Sequence, residues 1–276
     1  MSPQDITVTG DHPPVPVRVY PGAGEPGGPG LVWMHGGGFV GGSLDMPESD
    51  AVCRALAANG ITCVSVGYRL VPGFGDRRAQ RALDAVRFPL PLDDCERAWA
   101  WARHHLDDLG VDPRRLHVGG ASAGGALAAS LALRLHDGSA PPPTGVVLAY
   151  PLLHAALPAL SPELRRSLRG LRRLGTFSPS SVSWMARNYV GRANLDRLPE
   201  AFPGGRDLTG CPPTLIVNSE RDSLRASGAA FAAELLAHGR PVEVSTEPGT
   251  SHGHLNRPRR TAFHRTISTF STWLSR

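Results

Sequence analysis

Gly119-Gly120-Ala121-Ser122-Ala123-Gly124-Gly125 decides the reading of this chain. It follows the short apolar run Leu116-His117-Val118 and opens a segment in which Leu127, Leu131 and Leu135 recur at i, i+4 and i+8, the spacing of one helix face. Gly120, Ser122 and Gly124 form the G-x-S-x-G pattern of a nucleophile elbow, a sharp strand-to-helix turn that lifts a serine hydroxyl above a sheet. The requirement is steric: the serine backbone is strained, so the positions two before and two after it must be nearly free of side chain. Small-residue sequence matches the pattern by chance, so its meaning depends on what the rest of the chain supplies.

Outward from the elbow, apolar runs and amphipathic segments alternate. Ile6–Val8, Val15–Tyr20, Leu31–Met34 and Ile61–Val66 read as strands before it, and Val146–Tyr150, Thr214–Asn218 and Val242–Thr246 as strands after it. The intervening helices are expected at 47–59, from Asp93 or Asp94 as cap through Leu109, and at 224–238. A last helix carries Phe263, Ile267, Phe270 and Leu274 on one face. Residues 152–210 break this rhythm with a basic amphipathic segment, 162–174, and a helix at 180–189. The pattern predicts one α/β domain over 1–276, a mostly parallel doubly wound sheet with a helical lid insertion at about 152–210.

Composition narrows the function. All 29 basic residues are arginine, which removes Schiff-base chemistry, a P-loop lysine and a Ser–Lys dyad. The net charge of +5 is dispersed among acidic residues, so nucleic acid is not an expected partner. No apolar run reaches the length of a membrane span, and the amino terminus lacks the basic and apolar regions of a signal peptide, so a cytoplasmic enzyme is expected. Cys53, Cys63, Cys95 and Cys211 have no zinc spacing and read as buried free thiols. His104-His105 with Asp107-Asp108 reads as a solvated helix end rather than a metal site, and no cofactor is called for. The arginines of the insert (Arg165, Arg166, Arg169, Arg172 and Arg173) read as the solvated face of a lid helix. Phe177, Trp184, Met185 and Tyr189 fit an acyl pocket or a lid core equally well.

An activated serine needs a base to take its proton and a carboxylate to hold that base in the right tautomer. In this architecture they follow the serine as acid, then histidine, on loops after late strands. Asp222 and His252 occupy those places, with Glu220 and His254 as rivals. Singly, Asp222 reads as a helix cap and His252 as a loop residue; in this order, at these strand ends, they read as a triad with Ser122. His35-Gly36-Gly37-Gly38 supplies glycines able to turn backbone N–H groups toward a developing oxyanion.

These blocks together resemble the hormone-sensitive-lipase-like group of α/β-hydrolase carboxylesterases. His35-Gly-Gly-Gly-Phe39 is similar to that group's HGGG block, Tyr68-Arg69-Leu70 with Pro72 to its Y-R-L-x-P segment, and Phe88-Pro89 with Asp93-Asp94 to its next landmark. Gly120–Gly125, Asp222-Ser-Leu224 and His252-Gly253 match its elbow, acid and base blocks. The resemblance implies catalysis by Ser122, Asp222 and His252 and an oxyanion hole from the N–H groups of Gly37, Gly38 and Ala123. It also implies hydrolysis of small to medium acyl esters through an acyl-enzyme, and a homodimer. A lactonase, dehydratase or cyclase on the same fold is the alternative, and a non-catalytic binding protein a third. Three departures stand out: Ala121 replaces the group's usual Asp before the serine, extra residues including Arg77, Arg78, Arg81 and Arg87 follow Pro72, and the group's amino-terminal lid helices are not expected ahead of a first strand read from near residue 6.

Overall fold

The computed structural model describes residues 2–10, 12–73, 75, 85–138, 141–169, 175–191 and 198–276. Arg77, Arg78, Arg81, Arg172 and Arg173 lie outside them. Eight strands, β1 (Gln4–Val8), β2 (Val15–Tyr20), β3 (Gly28–Met34), β4 (Thr62–Val66), β5 (Val111–Ala121), β6 (Val146–Ala149), β7 (Thr214–Arg221) and β8 (Val242–Ser251), form one sheet. Their order is β1-β2-β4-β3-β5-β6-β7-β8. The β1–β2 and β2–β4 pairs are antiparallel and the remaining five parallel, the arrangement of an α/β-hydrolase fold.

The apolar runs read as strands because their alternate side chains feed two separate cores. Val32, Met34, Val64, Val118, Val146, Leu148 and Ile216 point into one. Leu31, Trp33, Cys63, Val147, Ala149, Leu215 and Val217 point into the other. Helices α1 (Asp50–Ala58) and α7 (Thr261–Leu274) cover the second face, through Val52 and Leu56 and through Phe263, Ile267 and Phe270. The first face is covered by α2 (Leu90–His104), α3 (Ala123–Asp137) and α6 (Arg225–Ala237). Helix α3 is buried almost all round and is built of alanine and leucine, as a helix covered on every side must be.

Several boundaries differ from the sequence reading, among them the end of α2, at His104 rather than Leu109. Helix α2 starts at Leu90, so Asp94 lies inside it and caps nothing. Its buried carboxylate instead accepts from the Arg69 backbone N–H and Nε at 2.9 and 2.8 Å, and from Arg69 Nη2 at 2.8 Å. Arg97, one turn on, also pairs with it. A buried aspartate with two guanidiniums is a tertiary clamp between the loop after β4 and α2, invisible to local capping rules. Strand β8 likewise runs to Ser251 rather than ending near Thr246, because β7 keeps pairing with it out to Arg221↔Ser251.

From the 152–210 stretch come α4 (Pro162–Ser167) and α5 (Pro179–Val190). Leu164 and Leu168 bury against Ala226 of α6 while Arg165, Arg166 and Arg169 face outward. In α5, Tyr189 stacks on Phe39 with ring centroids 4.0 Å apart, so it belongs to the packed core. All four cysteines are buried and free.

Helix α3 meets the sheet by backbone contact. A Cβ on Gly124 would lie 2.2 Å from the Met34 carbonyl oxygen and 2.4 Å from that of His35. Gly124→Ala is therefore expected to cost about 3 kcal/mol by forcing α3 off β3. Urea unfolding measures this, and a midpoint equal to wild type would contradict the close packing.

Candidate active site

Each of five parallel strands delivers one site residue at the first position past its end: His35 after β3, Ser122 after β5, Tyr150 after β6, Asp222 after β7 and His252 after β8. Register brings them together. Ala121 pairs with Ala149, Ala149 with Val217, and Arg221 with Ser251, so the residues that follow emerge side by side on the carboxyl edge of the sheet.

Ser122 has φ 54° and ψ −118°, outside the helical and strand regions. Its N–H donates to the Ala149 carbonyl at 2.9 Å, and its own carbonyl accepts from Gly125 and Leu152 at 3.0 Å each. The elbow is thus pinned from three sides. A Cβ on Gly120 would lie 2.3 Å from the Gly124 carbonyl oxygen, which explains the glycine spacing around the serine. Ala121 is fully buried in the same apolar layer as Trp33 and Tyr150, so this departure from the group's pattern lies in the packing under the elbow.

The structure brings Ser122, His252 and Asp222 into one hydrogen-bonded line. His252 Nε2 is 2.9 Å from Ser122 Oγ, and His252 Nδ1 is 2.6 Å from Asp222 Oδ2. Asp222 is fully buried and can only accept, so the imidazole carries its proton on Nδ1 and turns the Nε2 lone pair to the serine hydroxyl. Asp222 Oδ1 accepts from the Leu224 N–H at 3.0 Å, which fixes the carboxylate plane. Phe177 of the lid stretch meets the His252 ring edge-on, centroids 4.7 Å apart and 85° between planes, and Tyr150 supports another side at 4.9 Å.

The rivals are otherwise engaged. His254 is buried between Ser219 Oγ, 2.8 Å from Nδ1, and Thr266 Oγ1, 2.9 Å from Nε2. Burial, aided by the neighbouring His252, pushes its pKa down to about 4, so it serves as a neutral brace. Glu220 accepts from the Gly249 N–H at 2.6 Å on the outer side of the strand end.

In the glycine loop, Gly37 and Gly38 have φ of 123° and 61°. The N–H groups of Gly37 and Gly38 have no hydrogen-bond partner among the described residues, and Ala123 opens α3, where a backbone N–H has no intrahelical acceptor. The loop hangs on His35. Its carbonyl accepts from Tyr68 Oη at 2.8 Å, its ring stacks on Tyr68, burial holds its pKa below the ordinary value, and Nδ1 donates to the Gly36 carbonyl, which can only accept, at 2.7 Å. Met185 of α5 packs over Gly38, its Sδ 3.1 Å from where a Cβ would stand. Phe177 and Met185 thus reach the site, whereas Tyr189 is core.

Two participants escaped sequence reasoning. Tyr150 stands at a strand end like the others, and that position was its only signal. Glu48, buried in the turn before α1, accepts from the Gly36 N–H and Tyr150 Oη, both at 2.7 Å, and nothing in its local sequence marks it.

A second serine–histidine–carboxylate line lies elsewhere. His154 Nδ1 is 2.9 Å from Ser227 Oγ and His154 Nε2 is 2.9 Å from Glu234 Oε1. Ser227 sits within regular helix α6, is 1% exposed, and accepts the Leu153 N–H at 2.9 Å. It fastens the start of the 152–210 stretch to α6. Among the described residues no group of three or more His, Cys, Asp or Glu side chains is placed to hold a metal ion.

The sequence model of the α/β-hydrolase fold matches residues 31–256. Carboxylesterase NlhH of Mycobacterium tuberculosis is 34% identical over 249 residues, covering 88% of this chain and 72% of that protein. An ethyl acetate hydrolase of Pseudomonas putida is 33% identical, with 88% and 72% covered. A Pyrobaculum calidifontis esterase structure superposes with a TM-score of 0.82 at 31% identity, covering 99% of this chain and 84% of that one.

The buried histidines make a prediction. Burial pushes His117 as well as His254 down to about 4 from an ordinary 6.5. Between those values the unfolded chain binds protons that the folded chain refuses, so stability is complete above pH 6.5 and falls as pH drops toward 4. Urea midpoints should decline over that window and decline less steeply in His117→Gln; identical slopes would refute the assignment.

Proposed function

The chain belongs to the α/β-hydrolase family, as a carboxylic ester hydrolase of its hormone-sensitive-lipase-like group, and on that premise we propose that Ser122, His252 and Asp222 are its catalytic triad. His252 takes the Ser122 proton as Oγ attacks the ester carbonyl, and Asp222 holds the imidazolium that forms. The negative charge arising on the carbonyl oxygen is received by the N–H groups of Gly37, Gly38 and Ala123. Collapse expels the alcohol, protonated by His252, and leaves an acyl-enzyme on Ser122. Water deprotonated by His252 then attacks the ester so formed and releases the acid. No step needs a metal or organic cofactor.

The observation that carries this reading is the unbroken Asp222–His252–Ser122 line ending on a serine held in a strained elbow. Small to medium acyl esters suit the crowding of Phe177 and Met185 against it. A cavity of about 660 Å³, lined by Leu157, Leu160, Arg165, Leu168, Phe177 and Ser223, shares Phe177 with the site. No helix among the described residues is long and apolar enough to cross a membrane, and a cytoplasmic location agrees with this. Residues 1–276 are read as one domain whose 152–210 stretch acts as the lid. A homodimer would pair through the β8 edge of the sheet, where Val244 is half exposed.

Turnover of p-nitrophenyl acetate and butyrate tests the proposal. Ser122→Ala should fall to the uncatalysed rate, and equal turnover by the variant and wild type would end the reading. Asp222→Asn, which reverses the imidazole tautomer, should lose on the order of 10⁴ in kcat with KM little changed. Retention of wild-type kcat would exclude Asp222 as the acid.

A further inference from the structure

Glu48 carries a buried carboxylate that the reaction scheme leaves unused. It is 3% exposed, and no cation pairs with it among the described residues. A carboxylate in such a place costs several kcal/mol unless strong donors replace its water. Three neutral donors do so. Oε1 accepts from the Gly36 N–H at 2.7 Å; Oε2 accepts from Tyr150 Oη at 2.7 Å and from Asn256 Nδ2 at 3.0 Å. The main chain of Glu48 is held too, its N–H by Asn256 Oδ1 at 3.3 Å and its carbonyl by Trp33 Nε1 at 2.8 Å.

The three donors come from three separate parts of the site. Gly36 begins the glycine loop. Tyr150 follows β6 and presses its ring edge-on against both His252 and His254, at 4.9 and 5.0 Å. Asn256 ends the turn His254–Asn256 just beyond His252. Tyr150 itself has φ 36°, a strained value for a tyrosine, and its hydroxyl bond to Glu48 is what its side chain gains there. Burial, with the Glu48 charge behind it, holds the phenol far above its ordinary pKa, so it donates. Position 36 has no room for a side chain beside the carboxylate: a Cβ there would lie 2.4 Å from Oε1.

We infer that Glu48 is a positioning residue for ester hydrolysis, aiming the Gly36–Gly38 peptides at the oxyanion and, through Tyr150, holding His252 in line with Ser122. The inference rests on the proposed triad and oxyanion hole. Its physical content is that the donors of an oxyanion hole act only when preorganised, so loosening the peptide before them weakens transition-state binding more than substrate binding. A bidentate acceptor is required. A carboxamide of the same shape would set an NH₂ group against one of the donors.

The test compares wild type, Glu48→Gln, Tyr150→Phe and Ser122→Ala with p-nitrophenyl butyrate and an alkyl trifluoromethyl ketone, which forms a hemiketal oxyanion on an active serine. Glu48→Gln should lose about 10- to 100-fold in kcat, a fraction of the effect of deleting an oxyanion donor outright, with KM within about threefold. Its ketone affinity should fall by the same factor as kcat/KM, a correlation that a merely structural role would not produce. Tyr150→Phe keeps the ring and removes one donor, so it should show the same pattern at smaller amplitude, and it decides the matter if Glu48→Gln does not fold. Wild-type kcat in whichever variant folds, or a kcat loss without loss of ketone affinity, overturns the role of Glu48. Absence of turnover and of ketone binding in wild type itself, indistinguishable from Ser122→Ala, would overturn the triad and this inference with it.

Discussion

The contact between the first turn of α3 and the end of β3 governs the rest of the molecule. Gly124 lies against the Met34 and His35 carbonyls with no space for a methyl group, and Gly120 against the Gly124 carbonyl in the same way. This closeness has two effects. It forces the chain at Ser122 into a conformation that costs of order 1–3 kcal/mol, which the core around β5 and α3 must offset. It also sets the helix beside the glycine loop that follows β3, with Gly124 against the His35 carbonyl and Gly36 against Ser122. Side chains at positions 120 or 124 would separate the serine from the loop that is proposed to serve it.

Much of this was legible in the sequence, for identifiable reasons. Parallel strands covered on both faces read as continuous apolar runs, and β3 through β7 were found that way. Ser122, Asp222 and His252 could be grouped from the sequence because a site at the carboxyl edge of such a sheet must draw on the residues just past the strands. The misreadings were tertiary. Asp94 resembled a cap because only the fold brings Arg69 to it. The end of β8 was missed because Glu247–Ser251 carries little apolar signal and is a strand through its pairing with β7. Glu48 could not be seen at all, since Tyr150 and Asn256 lie 102 and 208 residues from it along the chain.

The 152–210 insert packs on α6 and also reaches the site. Its basic residues Arg165, Arg166 and Arg169 stay in solvent because Leu164 and Leu168 of the same segment have an apolar seat on α6. Its contribution to the site is made by two apolar side chains, Phe177 against His252 and Met185 over Gly38. Both are adaptable shape-fillers rather than hydrogen-bonding groups, so the insert sets the outline of the space above the serine and leaves the polar chemistry to the sheet.

Ser227, His154 and Glu234 repeat the distances of Ser122, His252 and Asp222 to within a few tenths of an ångström, but with the ring nitrogens exchanged, Nδ1 facing the serine and Nε2 the carboxylate. Residue types and distances alone would mark two hydrolase sites in this one molecule. Main-chain torsion separates them as well: one serine is turned out of a helix entrance at φ 54°, the other lies in the regular first turn of α6 with its oxygen already engaged by a backbone N–H. The molecule thus contains its own negative control, told apart by which ring nitrogen faces the serine and by the conformation of the peptide that carries the nucleophile.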